Sequence, residues 1–377
     1  MNQSVGISVS TGPTVAETFT TIGELRTPTM QWFVNGLKQR LLANGHLFRD
    51  QPEPDIRLVL NLADAKNPQP YRRKAQATFS TTIVELDEEP QDYLRVGYPY
   101  LVHTLGNLVI LLVHAKSGVE AHFMTLEQGH YPVRYIEGHD DEFFDEIFQR
   151  VEPLASSQLI INNVYNPDLE EELWHGDETT EQIKRAGRKL DAMNLLPAPF
   201  PIQEILAPRE LRHVMRLYGI GGLSYGNLSA RKDDNRYWMS ASGVNKGKLE
   251  VIGQDILLVS GFDPQEPAMI LSVPPDVQPR RVSVDAIEHW MIYHDHPQVG
   301  AIFHVHAWMD GISSTEINYP CGTIQLARAV AELVRQAPDP SHAIIGLKNH
   351  GVTITGSSMD EIFERIAGKI IPQVPMS

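Results

Sequence analysis

The sequence of 377 residues has a single cysteine, Cys321, so no disulfide can form within the chain. Long apolar runs are also missing, since the densest, residues 108–115, has only the length of a strand. The first residues lack the basic stretch followed by an apolar one that marks a secretory signal peptide. These absences predict a cytoplasmic protein that does not enter a membrane.

Positive charge is scarce as well, with 32 Lys and Arg against 47 Asp and Glu and a formal net charge of −15. Such a chain repels the phosphate backbone of nucleic acids and anionic membrane surfaces, so neither is expected as a partner. A local basic pocket for a small anion is still compatible with this balance. Apolar residues make up 42% of the chain, which is ordinary for a soluble globular protein of two or three domains.

The first half of the chain predicts an α/β domain behind a short arm. Residues 1–25 are rich in Ser, Thr and Gly without periodicity and predict a flexible N-terminal arm. Residues 26–165 predict an α/β domain of unknown function, because apolar residues recur there at both helical and strand spacing. The predicted helices cover 28–47 and 140–151, and the predicted strands cover 56–62, 77–86, 108–114, 120–126 and 158–161.

The second half begins with a connector. Residues 166–200 combine an acidic, polar stretch with an amphipathic helix over 180–195. Three prolines in the stretch LLPAPFP then force an extended turn. From 201 to 377, glycine turns alternate with short strands and helices, the first helix covering 208–218, so a second α/β domain is expected.

Two histidines follow the apolar run at residues 301–303. His304 and His306 are two positions apart, so in a strand both side chains point to the same face. They could be core histidines with satisfied hydrogen bonds, or two ligands of one divalent metal. Catalytic zinc sites use three protein ligands, and His350, at a glycine bend between two apolar runs, is the candidate third ligand.

A carboxylate precedes the histidine pair. Ser283 is a natural helix N-cap, and it places Asp285 in the first turn of a helix that extends to residue 293. Asp285 either stabilises the helix dipole or acts on the metal as a fourth ligand or a general base. His289, His294 and His296 in the same stretch are interpreted as histidines of the helix face or the following loop.

Four motifs in this order resemble the class II aldolase/adducin family over about residues 211–356. They read YGIGGLSYGNLSAR, YWMSASGVNKGKL, RVSVDAIEHWMIYHDHPQVGAIFHVHAWM and LKNHGVTITG. Residues 1–165 take no part in this resemblance. It implies an α/β/α domain with a central, mostly antiparallel sheet, and a homo-oligomer, usually a tetramer.

The resemblance also implies a site. A divalent metal, most often Zn²⁺, would be bound by His304, His306 and His350, and a small carbonyl substrate, often a sugar phosphate, would chelate it. In such enzymes the metal stabilises an enediolate, in agreement with what three imidazoles and an open position offer. The other residues at matching positions are Asn227, Ser242, Gly243 and Ser283 for substrate binding and Asp285 for catalysis.

Three departures from the family pattern bear on the reaction. Aldolases of the family mostly have Glu where Asp285 stands, and Val284 replaces a second hydroxyl residue that often accompanies phosphate binding. Only 43 residues separate His306 from His350, and the stretch that usually carries the proton donor is missing. Tyr319 is therefore the expected catalytic acid, with Asp310 and Glu316 as local alternatives.

Several functions are consistent with these residues. The first is a metal-dependent lyase or isomerase acting on a small hydroxy-carbonyl compound, with aldol cleavage preferred over epimerisation, dehydration or keto-acid decarboxylation. The second is a non-catalytic, adducin-like assembly protein, against which the presence of all three histidines argues.

A separate ligand for the N-terminal domain is not expected: its histidines form no recognisable ligand set, and its basic cluster at 72–74 is interpreted as a solvated turn. Those histidines are His103, His114, His122 and His130.

Overall fold

The computed structural model describes residues 17–75, 77–116, 118–125, 130–193, 195, 206–209 and 226–377. The predicted helix over 208–218 and residues 1–16 of the predicted arm lie outside these residues, apart from 208 and 209. None of the described helices is long and apolar enough to cross a membrane.

Seven helices and sixteen strands are formed by the described residues. The helices are α1 (Pro28–Ala43), α2 (Tyr93–Thr104), α3 (Asp140–Ser156), α4 (Glu178–Ala192), α5 (Ala286–Asp295), α6 (Ile324–Gln336) and α7 (Met359–Ile366). The strands of the N-terminal half are β1 (Thr18–Gly23), β2 (Leu47–Phe48), β3 (Leu58–Ala63), β4 (Phe79–Leu86), β5 (Leu108–Ala115), β6 (Gly118–Met124), β7 (His130–Arg134) and β8 (Asn162–Asn166). Those of the C-terminal half are β9 (Gly226–Arg231), β10 (Tyr237–Ser240), β11 (Ile256–Asp263), β12 (Ala268–Ser272), β13 (Ala301–Val305), β14 (Ser313–Ser314), β15 (Ile344–Leu347) and β16 (Gly351–Gly356).

The first seven strands form the N-terminal sheet, in the order β2-β1-β3-β4-β5-β6-β7. The pairs from β2 to β5 are parallel, and β6 and β7 are added antiparallel. Strand β5 is buried over six consecutive residues because helices cover the sheet on both faces. Helices α1 and α3 pack on one face and α2 packs on the other.

Strand β1 differs from the expectation of a flexible arm over residues 1–25. Its segment, TFTTIG, pairs with β2 on one side and with β3 on the other, and Phe19 is fully buried. Threonine and isoleucine are β-branched, a property that favours the extended conformation. The absence of apolar periodicity in residues 1–25 therefore did not exclude a strand, since a six-residue interior strand is too short to show such a pattern.

The remaining nine strands form the C-terminal sheet, in the order β14-β15-β16-β13-β9-β10-β11-β12-β8. Only the two outermost pairs, β14–β15 and β12–β8, are parallel, so the sheet is mostly antiparallel as expected. Helices α4 and α7 contact each other and the strands β9, β13 and β16, whereas α5 and α6 pair with each other and contact β11 and β15. Alternation along β13 separates the two faces: Phe303 packs against Phe363 of α7, and His304 points towards the α5 side.

The segment between α3 and β8 joins the two sheets. The Ile160 amide donates to the Gly322 carbonyl at 2.8 Å, and the Ile324 amide donates to the Gln158 carbonyl at 3.0 Å. Beyond this contact, β8 pairs with β12 and becomes the outermost strand of the C-terminal sheet. The end of the predicted first domain, at residue 165, thus falls within a strand of the second sheet.

Candidate active site

The three predicted histidines lie together in the C-terminal sheet. His304 belongs to β13 and His306 follows its last residue, so both imidazoles project from the same face, while His350 precedes β16, the neighbour of β13. The ring centroids are 5.1 Å apart for His304 and His306, 5.0 Å for His304 and His350, and 4.6 Å for His306 and His350. The sheet therefore brings together residues that are 44 positions apart in the chain.

Two glycines let the neighbouring strands approach these histidines. A Cβ on Gly351 would lie 2.3 Å from the Val305 carbonyl oxygen, and a Cβ on Gly226 would lie 2.3 Å from the His304 carbonyl oxygen. Gly226 also has a φ of 147°, a backbone conformation that residues with a side chain rarely adopt. Strands β16 and β9 thus begin with glycine on either side of β13, where the metal ligands are expected.

We expect Gly351→Ala to destabilise the protein and to disturb the histidine cluster. The added methyl group meets backbone atoms that cannot rotate away, so the free energy of unfolding should fall by about 1–3 kcal/mol or more. Denaturant unfolding together with a zinc titration would measure both effects. Gly261→Ala is the matched control, because its Cβ would meet only the Ile270 side chain, at 3.4 Å. Equal stability of the two variants would contradict this account of β16.

The histidine cluster has the chemistry of a metal site. One nitrogen from each of the three rings lies within 4.8 Å of the other two, all three residues are buried, and the His306 and His350 Nε2 atoms are 3.1 Å apart. Burial lowers the pKa of His304 to about 4 and that of His350 to about 3, and it lowers the pKa of His306 well below its usual range. Neutral imidazoles at pH 7 offer lone pairs, which a divalent metal needs. The Nε2 atom of His304 is buried without a hydrogen-bond partner, so a bound metal would satisfy it.

Two polar side chains lie behind His304. The Thr353 hydroxyl is 3.3 Å from His304 Nδ1 and donates to Glu288 Oε1 at 2.5 Å. Burial, together with the charge of Asp285, raises the pKa of Glu288 to about 8. Hydrogen-bonded partners behind a ligating histidine fix the orientation of its ring, and Thr353 occupies that position here.

Asp285 lies beside the histidines and is buried. Its Oδ2 accepts a hydrogen bond from the Asn227 side-chain amide at 2.7 Å. Burial raises the pKa of Asp285, and His350, Asn227, the Gly322 amide and Lys246 oppose that shift. Asp285 is not part of the three-histidine cluster that could hold a metal. The carboxylate of Asp285 lines the same cavity as His306 and His350.

A cavity of about 880 Å³ contains most of the predicted site residues. Its lining includes Asn227, Ser242, Gly243, Ser283, Asp285, His306, Tyr319 and His350. Asp310 and Glu316, the alternative proton donors, are exposed and lie outside this lining. Burial raises the pKa of Tyr319, and the charge of Glu152 adds to the shift.

Helix α5 begins two residues later than the sequence suggests. Its N-cap residue is Asp285, which makes no side-chain capping hydrogen bond, and the helix starts at Ala286. Ser283 therefore lies in the turn before the helix, where its backbone carbonyl accepts from the Ala286 amide at 3.0 Å. The Asp285 carboxylate accepts from the Asn227 amide and does not cap its own helix.

Lys246 is a member of the site that is not among the residues predicted from the sequence. It is 6% exposed, lines the cavity, and donates from Nζ to the Ala241 carbonyl at 3.2 Å. Burial lowers the pKa of Lys246 to about 8, although the charges of Asp255 and Asp285 oppose the shift. Lysines are rarely buried without a partner charge, so the sequence gives no reason to expect Lys246 in the site. Its only link to the predicted residues is that it belongs to the same motif as Ser242 and Gly243.

The histidines of the N-terminal half do not form a comparable cluster. His122 Nδ1 and His130 Nε2 are 2.7 Å apart, and both rings stack on Tyr93. Among the described residues, the only group of three or more potential ligands close enough to hold one metal is that of His304, His306 and His350. The N-terminal pair is therefore a stacked, hydrogen-bonded pair of rings.

The sequence is similar to known proteins over part of its length. A methylthioribulose-1-phosphate dehydratase from Citrobacter koseri is 36% identical over 81 residues, which cover 22% of this chain and 34% of that protein. The chain thus spans about a third of the length of this curated relative. The structure of YgbL from Klebsiella pneumoniae is 18% identical with a TM-score of 0.32, covering 50% of this chain and 82% of that one. An L-fuculose 1-phosphate aldolase structure is 14% identical with a TM-score of 0.33, covering 53% and 92%.

A protein-family model matches the segment that contains most of the site residues. The family is the Class II Aldolase and Adducin N-terminal domain, and the match covers residues 209–316. The segment contains His304, His306 and Asp285, and it stops before His350. Residues 209–316 of this chain therefore match the class II aldolase and adducin family, over less than half of the chain.

Proposed function

We propose that the chain is a divalent-metal-dependent lyase that cleaves a small, anionic hydroxy-carbonyl compound by an aldol reaction. The observation that supports this most directly is the group of three buried, neutral histidines, two of which, His306 and His350, line one cavity with Asp285 and Lys246. His304, His306 and His350 would hold the metal, and zinc is the ion that this ligand set favours. When bound, such an ion supplies Lewis-acid stabilisation of the negative charge that develops on a carbonyl oxygen.

The protein's own groups supply the proton transfers. Asp285 is the group placed to accept the proton of the substrate hydroxyl as the carbon–carbon bond breaks. Tyr319 is then the donor that protonates the carbon left with the electron pair, since it lines the same cavity. Lys246 holds positive charge beside Asp285, and Asn227 fixes the carboxylate through its amide. Ser242, Gly243 and Ser283 border the space available to an anionic group of the substrate.

Dehydration is the second candidate reaction, and the similarity to a methylthioribulose-1-phosphate dehydratase favours it. The same side chains would supply the base and the acid of this reaction. Asp285 would remove a proton from the carbon next to the carbonyl, and the hydroxyl of the following carbon would leave as water with a proton from Tyr319. Both reactions share the step in which charge develops on the carbonyl oxygen, so the cavity serves either one.

The test is a turnover screen with metal-loaded protein. Full-length protein is stripped with chelator, reloaded with Zn²⁺, Co²⁺, Mn²⁺ or Ni²⁺, and assayed on hydroxy-carbonyl compounds with and without phosphate. We expect turnover that is lost on stripping and absent in His304→Ala. Failure to take up any of the four ions, or turnover that survives in His304→Ala, would contradict the proposal. Accumulation of an aldehyde and a ketone identifies aldol cleavage, and loss of water identifies dehydration.

We also propose an assembly and a cellular location for the protein. The resemblance to the family supports a homo-tetramer, and the composition supports a cytoplasmic protein that binds neither nucleic acid nor membranes. All three histidines are present, which supports an enzyme over an adducin-like assembly protein.

A further inference from the structure

The cavity lined by His306 and His350 is also lined by residues of the N-terminal half of the chain. Arg73, Phe79, Arg150 and Leu154 line it together with His306 and His350. None of these four residues lies within 209–316, the segment that matches the family. The N-terminal sheet and α3 therefore form one wall of the candidate active site.

The charge of this cavity is opposite to that of the chain. Among the described residues, its lining contains five cationic side chains, Arg73, Arg150, Lys246, Arg280 and Arg281, and a single carboxylate, that of Asp285. The whole chain carries a formal net charge of −15. Positive charge is thus concentrated at the cavity, and a low-dielectric cleft lined by one sign of charge attracts small anions.

Arg150 is held in a defined position within this wall. It lies on α3, and its Nη1 donates to the Glu146 carbonyl at 3.0 Å and lies 3.8 Å from the carboxylate of the same residue. The guanidinium group lies over the rings of Phe123 and Tyr131, 5.8 Å and 5.4 Å from their centroids. Its side chain is only 20% exposed, and its Nε is buried without a hydrogen-bond partner. An arginine fixed in this way retains donors for an oxyanion, whose two oxygens match the guanidinium fork.

Contacts around Tyr131 connect Arg150 to the metal side of the cavity. The Tyr131 hydroxyl lies beside the side chains of Asn318 and Asn349, without the geometry of a full hydrogen bond. Burial raises the pKa of Tyr131 to about 12, and the charge of Arg150 opposes the shift more than the two asparagines do. Asn349 directly precedes His350 and Asn318 directly precedes Tyr319. The ring on which Arg150 rests is thus packed against the loops that carry a metal ligand and the expected proton donor.

We propose that Arg150 binds an oxyanion of the substrate, a carboxylate or a phosphate, at the end remote from the three histidines. This inference rests on the proposed function for the placement of the reacting carbonyl at the histidines. It assigns to the N-terminal half a direct part in substrate recognition. A neutral hydroxy-carbonyl compound would make no charge-assisted hydrogen bond with Arg150 and would be a poor substrate.

Two small probes test the assignment in full-length, Co²⁺-loaded protein. Glycolate can bind near the metal but has no second anionic group, whereas 2-phosphoglycolate carries a phosphate on the other carbon. We expect Arg150→Gln to weaken 2-phosphoglycolate binding about 10–100-fold, the usual range for a lost hydrogen bond to a charged group, and to leave glycolate binding unchanged. Arg150→Lys keeps the charge but loses the fork, so its affinity should be intermediate. Isothermal titration gives all of these constants.

The controls separate this assignment from the proposed function. Arg188→Gln removes an exposed arginine of α4 that is not part of the cavity, and it should bind both probes like the original chain. Unchanged 2-phosphoglycolate affinity in Arg150→Gln, or an equal loss for both probes, would overturn the assignment of Arg150. Absence of metal uptake in the unmodified protein would instead overturn the proposed function, and phosphate titration of the metal-free protein would then still test Arg150.

Discussion

Replacing His350 with alanine is expected to weaken zinc binding as severely as replacing His304. Either change removes one of three imidazoles whose nitrogens lie within 4.8 Å of one another. Loss of a partner that merely orients a ligand costs about 10–100-fold in metal affinity, so loss of a ligand itself should exceed that range. Competition with a chromophoric chelator measures the zinc affinity, and the visible spectrum of the cobalt form reports the geometry. Turnover should be lost in both variants.

The matched control is another histidine of the same part of the chain. His294 on α5 is exposed and stacks on Trp290, with ring centroids 5.0 Å apart, away from the cluster. His294→Ala should therefore bind zinc like the original chain. If His350→Ala binds zinc normally, the ligand set is wrong, because His304 and His306 alone would then account for the affinity.

Replacing Asp285 with asparagine should abolish most of the turnover while leaving metal affinity intact. The substitution keeps the shape of the side chain but removes its ability to accept a proton, and general-base catalysis contributes about 10²–10⁴-fold to a rate. Steady-state kinetics of the zinc-loaded variant would show the loss in kcat. The chelator competition measurement, made on the same preparation, separates this role from metal ligation.

Asp310 and Glu316 provide the controls for this prediction. Both acids lie close to the histidine pair in sequence, but the structure leaves them exposed and outside the cavity. Asp310→Asn and Glu316→Gln should therefore retain kcat. A loss of zinc affinity in Asp285→Asn as large as that in His350→Ala would identify Asp285 as a fourth ligand and not as the base.

The clustering of the three histidines could be predicted from the sequence because its determinants are local. Alternation along a strand places His304 and His306 on one face, and Gly351 marks the bend beside His350. The mostly antiparallel C-terminal sheet was likewise expected from the four motifs. Helix α2 was not expected, because Pro99 lies within it and Gly97 and Tyr98 interrupt a simple helical pattern. Helix α2 forms because packing one of its faces against β5 stabilises it more than its weak local helix propensity disfavours it.

The basic wall of the cavity could not be predicted, since it depends on how two sheets face each other. Arg150 lies 154 positions before His304, and nothing in its helical sequence indicates a ligand. The position of Lys246 in the site could not be predicted either, because its burial next to Asp285 depends on the folded chain and not on the motif around it. Residues 72–74, interpreted as a solvated turn, illustrate the same limit: all three are exposed, yet Arg73 lines the cavity.

Strand β8 has a consequence for work with fragments. It covers the edge of β12 through five parallel residue pairs, from Ala268 and Asn162 to Ser272 and Asn166. A shortened chain that starts after residue 166 would lose this cover, and the bare backbone of β12 would become available to other chains. Such a fragment should self-associate at its new edge, so its aggregation would report a missing strand and would say nothing about the chemistry of the histidines.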